Sequence, residues 1–246
     1  MHLRRAKVVR HTSRPLQFLR LYVTGHYAWL LSVLLLMTFV APMVGEFDLI
    51  DHVYIADVLL LALLAVAAYT FLDSALHAGV VVVLALGTLA CGAISRVPEQ
   101  PIIGLEIAGI VCMSALLFFM AVLIAGDIFT SSKVDEDTIC GSLSVYLLFV
   151  LFFAGVYTSI QMLDPESFRG IPAEFAADQS LGPNLIMIYF STVTITTLGY
   201  GDITPLHIIP RSLASFEALL GQVYLTVLVA RLVGLTIAGV GRTQDS

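Results

Sequence analysis

The chain has 246 residues, 59% of them hydrophobic and only 12% charged, with a net charge of −6 at pH 7 and a mean hydropathy of +0.95. Soluble domains carry roughly a quarter charged residues, so the composition excludes a water-soluble globular protein. It sets the class as an integral membrane protein, for which the apolar runs below predict an all-α, multi-pass fold. Three cysteines, Cys91, Cys112 and Cys140, lack any Cys-x-x-Cys spacing. That argues against a disulfide framework or a zinc site and for small apolar fillers.

Residues 1–26 form a basic arm holding six of the twelve Lys and Arg: Arg4, Arg5, Lys7, Arg10, Arg14 and Arg20. Next to a membrane span, such a block reads as a cytoplasmic anchor in contact with anionic lipid, not as a nucleic-acid tail. Six apolar runs follow that are long enough to cross about 30 Å of hydrocarbon as helices. They are Tyr27–Gly45, Val53–Phe71, His77–Ile94, Ile102–Ala125, Leu143–Met162 and Ala214–Ala238. The first is expected to be a retained helix, not a cleaved signal, and no ligand-sensing module is expected after the last. A seventh run, Asn184–Thr196, is too short to span and reads as re-entrant.

With the N-terminus inside, inner segments hold the six early basic residues plus Lys133, Arg231 and Arg242, and outer segments hold Arg96, Arg169 and Arg211. This asymmetry predicts both termini in the cytoplasm, and the expected location is the cell's inner membrane. The chain divides into the arm 1–26, a four-helix peripheral domain 27–129, a linker 130–142 and a unit 143–246 built as helix, long outer loop, re-entrant helix and helix. Asp127, Asp135, Glu136 and Asp137 make the linker region acidic, and Asp137 or Thr138 is expected to cap the fifth helix.

The re-entrant run leads into Thr194–Asp202, which reads TITTLGYGD. Irregular backbone at membrane depth survives only when buried in protein or lining a water-filled path. Glycines there allow backbone conformations closed to other residues. With conformations alternating along the segment, successive carbonyls can be turned toward one axis. One chain supplies one strand of carbonyls, so encircling an ion calls for a symmetric oligomer.

Thr197-Leu198-Gly199-Tyr200-Gly201 resembles the T-V-G-Y-G selectivity filter of the tetrameric P-loop potassium channel family, with Leu198 where valine is commoner. The resemblance implies a homotetramer that conducts potassium passively. Potassium is then the permeant ligand, held by Thr197, Leu198, Gly199 and Tyr200, with no cofactor and no enzymatic activity. It further implies that Pro183 opens a pore helix, that Tyr189 and Phe190 support the filter and that Thr194 to Thr196 finish that helix. Asp202 would stand just outside the filter and hydrogen-bond Tyr189. Arg211 falls where a basic residue recurs at the start of the inner helix. Gly221, twenty residues after Gly201, reads either as the hinge of that helix or as a packing glycine, and Gln222 as a cavity-lining residue. Val193 stands where some members carry a buried glutamate, so that contact is expected to be absent.

Six helices with a re-entrant segment between the last two resemble the layout of voltage-gated potassium channels. The fourth run here contains no Lys or Arg, and its only charge is Glu106. A conventional arginine voltage sensor is therefore excluded. Asp57 and Glu106 fall at similar depth. They read either as carboxylates reaching headgroups or Arg96, or as a shared outer acidic site for protons or a divalent cation. His52, His77 and His207 read as interfacial or surface histidines. Two alternatives keep the architecture: a less selective monovalent cation channel, and a silent subunit that modulates other channels. An enzyme or a coupled transporter would need paired catalytic groups, a metal-ligand cluster or inverted repeats, none of which is evident.

Overall fold

A backbone surrounded by hydrocarbon must satisfy its own hydrogen bonds, and this chain does so with helices. The computed structural model describes residues 27–40, 61–66, 75–95, 102–131, 135–171 and 185–244. The basic arm, His52, Asp57, Arg96, Lys133, Pro183 and much of the first two expected spans lie outside the described residues.

Helix α1 covers Tyr27–Leu35 and runs into a π-helical turn at Leu36–Val40. Residues 61–66 are helical. Helices α2 (Ala75–Ser95), α3 (Ile103–Thr130) and α4 (Glu136–Leu163) follow, then α5 (Leu185–Ile195) and α6 (Ile208–Gln244). Among the described residues four helices are long and apolar enough to cross a membrane, at Leu76–Ser95, Ile103–Thr130, Glu136–Leu163 and Ile208–Leu235. They overlap the last four expected spans. Tyr27–Val40 and Leu185–Ile195 are apolar but shorter. Among the described residues the all-helical expectation meets one exception, an antiparallel pair between β1 (Phe168–Arg169) and β2 (Thr204–Pro205), with Phe168 opposite Pro205.

Two helix starts differ from expectation, each for a polar reason that hydropathy does not register. Helix α4 begins at Glu136, not Leu143, because Asp135 caps it. The Asp135 carboxylate accepts from the Thr138 amide at 2.8 Å and the Thr138 hydroxyl at 2.7 Å. Glu136 and Asp137 then sit in the first turn, where negative charge complements the helix dipole. The cap is thus neither Asp137 nor Thr138. Asp137 instead accepts from the Tyr27 amide at 3.0 Å, while the Tyr27 hydroxyl donates to Asp127 at 2.8 Å. These two bonds tie the start of α1 to the adjoining ends of α3 and α4. Helix α6 begins at Ile208 instead of Ala214, and Arg211 in its first turn donates through Nε to the Pro205 carbonyl at 2.9 Å.

Helix α3 lies between α2 and α4, α1 packs on α4, and α5 sits against both α4 and α6. Leu116, Leu117, Met120 and Ile124 of α3 are fully buried, as are Leu148, Leu151 and Ala154 of α4. Lipid is as apolar as these side chains, so close packing and dispersion hold the helices together more than exclusion of water. Small residues make that closeness possible. A Cβ added to Gly109 would lie 3.2 Å from Cys91 Cβ, and one on Gly87 would lie 3.3 Å from Cys112 Sγ. The described cysteines are free, and two of them fill this α2–α3 seam.

Candidate functional site

Helix α5 has 11 residues, a length of about 16 Å at 1.5 Å per residue, so it cannot cross the hydrocarbon by itself. Its threonine-rich end returns hydroxyls to its own carbonyls, with Thr196 Oγ1 donating to Thr192 O at 2.7 Å. The amides of the next residues also fold back onto α5. Thr197 donates to Thr194 O at 2.9 Å, and Leu198 and Gly199 both donate to Val193 O, at 3.0 and 3.2 Å. These bonds use the amides of the segment and not its carbonyls.

The backbone beyond alternates. Thr197 (φ 60°), Gly199 (φ 55°) and Gly201 (φ 79°) are left-handed, and among the described residues Thr197 is the only non-glycine with positive φ. In an ordinary strand successive residues face opposite ways; this alternation is what lets neighbouring carbonyls share one side. At Gly199 and Gly201 nothing lies within 4 Å of an added Cβ. The dihedral angle demands glycine there, not crowding. Leu198 and Tyr200 between them are 56% and 67% exposed on the single chain, leaving two large apolar faces for another surface to cover.

Of the expected supporting residues, Tyr189, Thr196 and Asp202 make bonds at or beside this segment, and Phe190 does not. Tyr189 donates its hydroxyl to Asp202 Oδ2 at 2.6 Å, and Asp202 Oδ1 accepts from the Ile203 amide at 3.0 Å. The Tyr189 hydroxyl holds the Asp202 carboxyl below the usual carboxylate range. Phe190 packs on the opposite side, edge-on to Tyr157 at 5.1 Å and to Phe168 at 5.5 Å. The aromatic pair therefore splits, one ring bonded to Asp202 and the other anchoring α5 to α4. Gln222 Nε2 donates to Thr197 Oγ1 at 3.2 Å, joining α6 to the start of the segment. Gly221 sits in uninterrupted helix at the crossing of α6 and α5, where an added Cβ would stand 2.5 Å from Ile195 O. The returning chain is pinned to the end of α4: Leu206 N donates to Ser167 O at 2.8 Å, and His207 Nδ1 lies 3.1 Å from Asp164 Oδ2.

Glu106 is buried in the first turn of α3, and the expected acidic pair lies outside the described residues through its other member, Asp57. His77 sits edge-on to Phe119 at 6.1 Å. Among the described residues no group of three or more His, Cys, Asp or Glu side chains is placed to hold a metal.

The contacts of two charged residues of α6 were not expected from sequence. Glu217 is fully buried, and its Oε2 accepts from the Tyr157 hydroxyl at 2.7 Å. Its Oε1 lies 2.5 Å from Ser191 Oγ, which also lies 2.8 Å from Val150 O. Val193 stays apolar and buried. The buried carboxyl beside α5 thus comes from α6. An acidic residue inside an apolar run was the available signal. Arg231, farther along α6, donates to the Ile128 and Ser131 carbonyls at the end of α3, with its guanidinium 5.5 Å over the Phe129 ring.

A family model described as "Ion channel" matches residues 145–237, running from α4 through α5 and the Gly-Tyr-Gly segment into α6. Protein LctB of Bacillus caldotenax is 31% identical over 101 residues, which cover 41% of this chain and 74% of that protein. Protein LctB of Geobacillus stearothermophilus is 33% identical over 101 residues, with the same coverage of each chain. The chain belongs to the ion-channel family. This channel is an integral membrane protein, and its family is a non-enzymatic class that conducts ions passively. Its matched part holds Thr197–Gly201 together with Tyr189, Phe190, Asp202 and Gln222, while α1 to α3 lie outside the match. No solved structure matches this ion channel.

Proposed function

We propose that this ion channel selects potassium, and that four copies surround one pathway lined by the carbonyls of Thr197, Leu198, Gly199 and Tyr200. The observation that carries the reading is the alternation of positive φ at Thr197, Gly199 and Gly201. A ring of carbonyls can replace the hydration shell of an ion only if each chain turns several carbonyls to one side. The exposed faces of Leu198 and Tyr200 suit burial against neighbouring copies. The C-terminal end of α5, with its partial negative charge, favours a cation close to it. In this reading 27–129 is a peripheral domain without gating arginines and 143–246 is the pore domain. Both termini lie in the cytoplasm of an inner-membrane protein, and the basic arm lies against anionic lipid.

The test is reconstitution of the purified chain in liposomes with potassium on one side and sodium on the other. A reversal potential near that of potassium supports the reading. A reversal potential near zero in equal, opposed potassium and sodium points to an unselective cation channel. Absence of flux from a correctly assembled tetramer points to a silent subunit.

A further inference from the structure

The contacts around Glu217 require one more proton than the neighbouring hydroxyls supply. Three oxygen–oxygen contacts form a chain: Tyr157 Oη to Glu217 Oε2 at 2.7 Å, Glu217 Oε1 to Ser191 Oγ at 2.5 Å, and Ser191 Oγ to Val150 O at 2.8 Å. Each contact needs one hydrogen. The tyrosine and serine hydroxyls supply one apiece, and a carbonyl supplies none. The third hydrogen has to come from the carboxyl group. Only one direction satisfies every atom: Tyr157 donates to Oε2, the protonated Oε1 donates to Ser191, and Ser191 donates to Val150 O.

We infer that Glu217 is held as a neutral carboxylic acid whose proton completes this chain, and that the chain positions α5 between α4 and α6. An ionised Glu217 would compete with Val150 O for the single Ser191 hydrogen, leaving one pair of oxygens facing each other without a proton. Tyr157, Ser191 and Glu217 are each 0% exposed, so water does not make up the deficit, and an unpaired charge there is costly. The titratable groups facing Glu217 from α4 are Tyr157 and Tyr146; α5 faces it with the Ser191 hydroxyl, and the described hydrogen-bond partners include no cation. Glu217 touches no part of the Thr197–Gly201 segment directly. It is a positioning residue: Ser191 lies on the helix that delivers the segment, and Gln222 on Glu217's own helix bonds to Thr197.

The consequence for conduction rests on the channel reading above, whereas the state of the acid does not, so the test has two arms. Infrared spectra of the full-length protein in lipid, compared with Glu217→Gln, read the acid directly. A protonated carboxyl C=O band that shifts in heavy water and disappears in the variant is expected. Loss of ionised carboxylate bands instead would overturn the inference, whether or not the chain conducts. In the flux arm, Glu217→Ala removes both bonds and is expected to lower potassium flux several-fold. Glu217→Gln should rescue it, because an amide can donate to Ser191 while accepting from Tyr157. If Glu217→Gln instead fails like Glu217→Ala although both variants assemble as wild type does, the charge is required and the neutral chain is wrong.

Discussion

The strongest influence on the Asp202 carboxyl is one hydroxyl. Tyr189 donates to it at 2.6 Å and lowers its carboxyl pKa. A group with a lowered folded-state pKa contributes its stabilisation above the unfolded value, and loses it as pH falls through the folded value. The wild-type channel is therefore expected to keep its flux under acid on the Asp202 side, until the pH drops below the ordinary carboxylate range. Tyr189→Phe removes the donor, so the loss should move to higher pH. Flux against pH for the two proteins checks this, and coincident profiles would remove Asp202 from the argument. Gly199 makes a different demand, for a backbone angle. An alanine there would hold φ near 55° at a cost of about 1–2 kcal/mol per chain. The segment is expected to relax by turning a carbonyl away, and on the proposed reading the preference for potassium over sodium should fall in reversal-potential measurements.

At the scale of elements, the seat of α5 is set by what α4 and α6 bring to it. Gly221 allows the closest approach. Its added Cβ would meet Ile195 O at 2.5 Å and Ile195 Cγ1 at 2.6 Å, and a backbone carbonyl at a helix end cannot step aside cheaply. Gly221→Ala is expected to destabilise the fold by about 1–3 kcal/mol, as overpacking does, and thermal unfolding in detergent measures it. An unchanged midpoint would show that α6 has room to bend away at this residue. The same scale explains why helix starts were partly illegible. A hydropathy window sees Glu136 and Asp137 as linker, yet Asp135 ahead of them caps the helix. The cap competed with the hydropathy pattern and won, because a carboxylate that accepts from the Thr138 amide satisfies a donor the helix would otherwise leave open.

At the scale of the molecule, α3 is the expected site of voltage sensing by layout and carries no Lys or Arg between Ile103 and Thr130. Moving one elementary charge through the field yields about 2.3 kcal/mol per 100 mV, and α3 offers no basic charge to move. Current recorded from the reconstituted channel is expected to vary weakly with voltage steps, and steep opening would contradict the account of α1 to α3. What α3 does offer is mechanical. Its last carbonyls are held by Arg231 of α6, so the two helices are joined at that end.

Some of this was legible in the order of residues and some was not. Composition determined the membrane class, because the free energy of placing apolar side chains in lipid adds up residue by residue. The glycines at 199 and 201 announced an unusual backbone, because the need for a positive φ is recorded at the residue that adopts it. The tertiary structure alone decided that Tyr189 and Phe190 face opposite ways, that Gly221 sits on Ile195 and that a carboxyl from α6 reaches α5. Glu217 joins partners 26 and 60 residues away, and Ser191 reaches across 41 to Val150. Contacts at such separations depend on how three helices cross, and that crossing is set by packing that no single stretch of sequence contains.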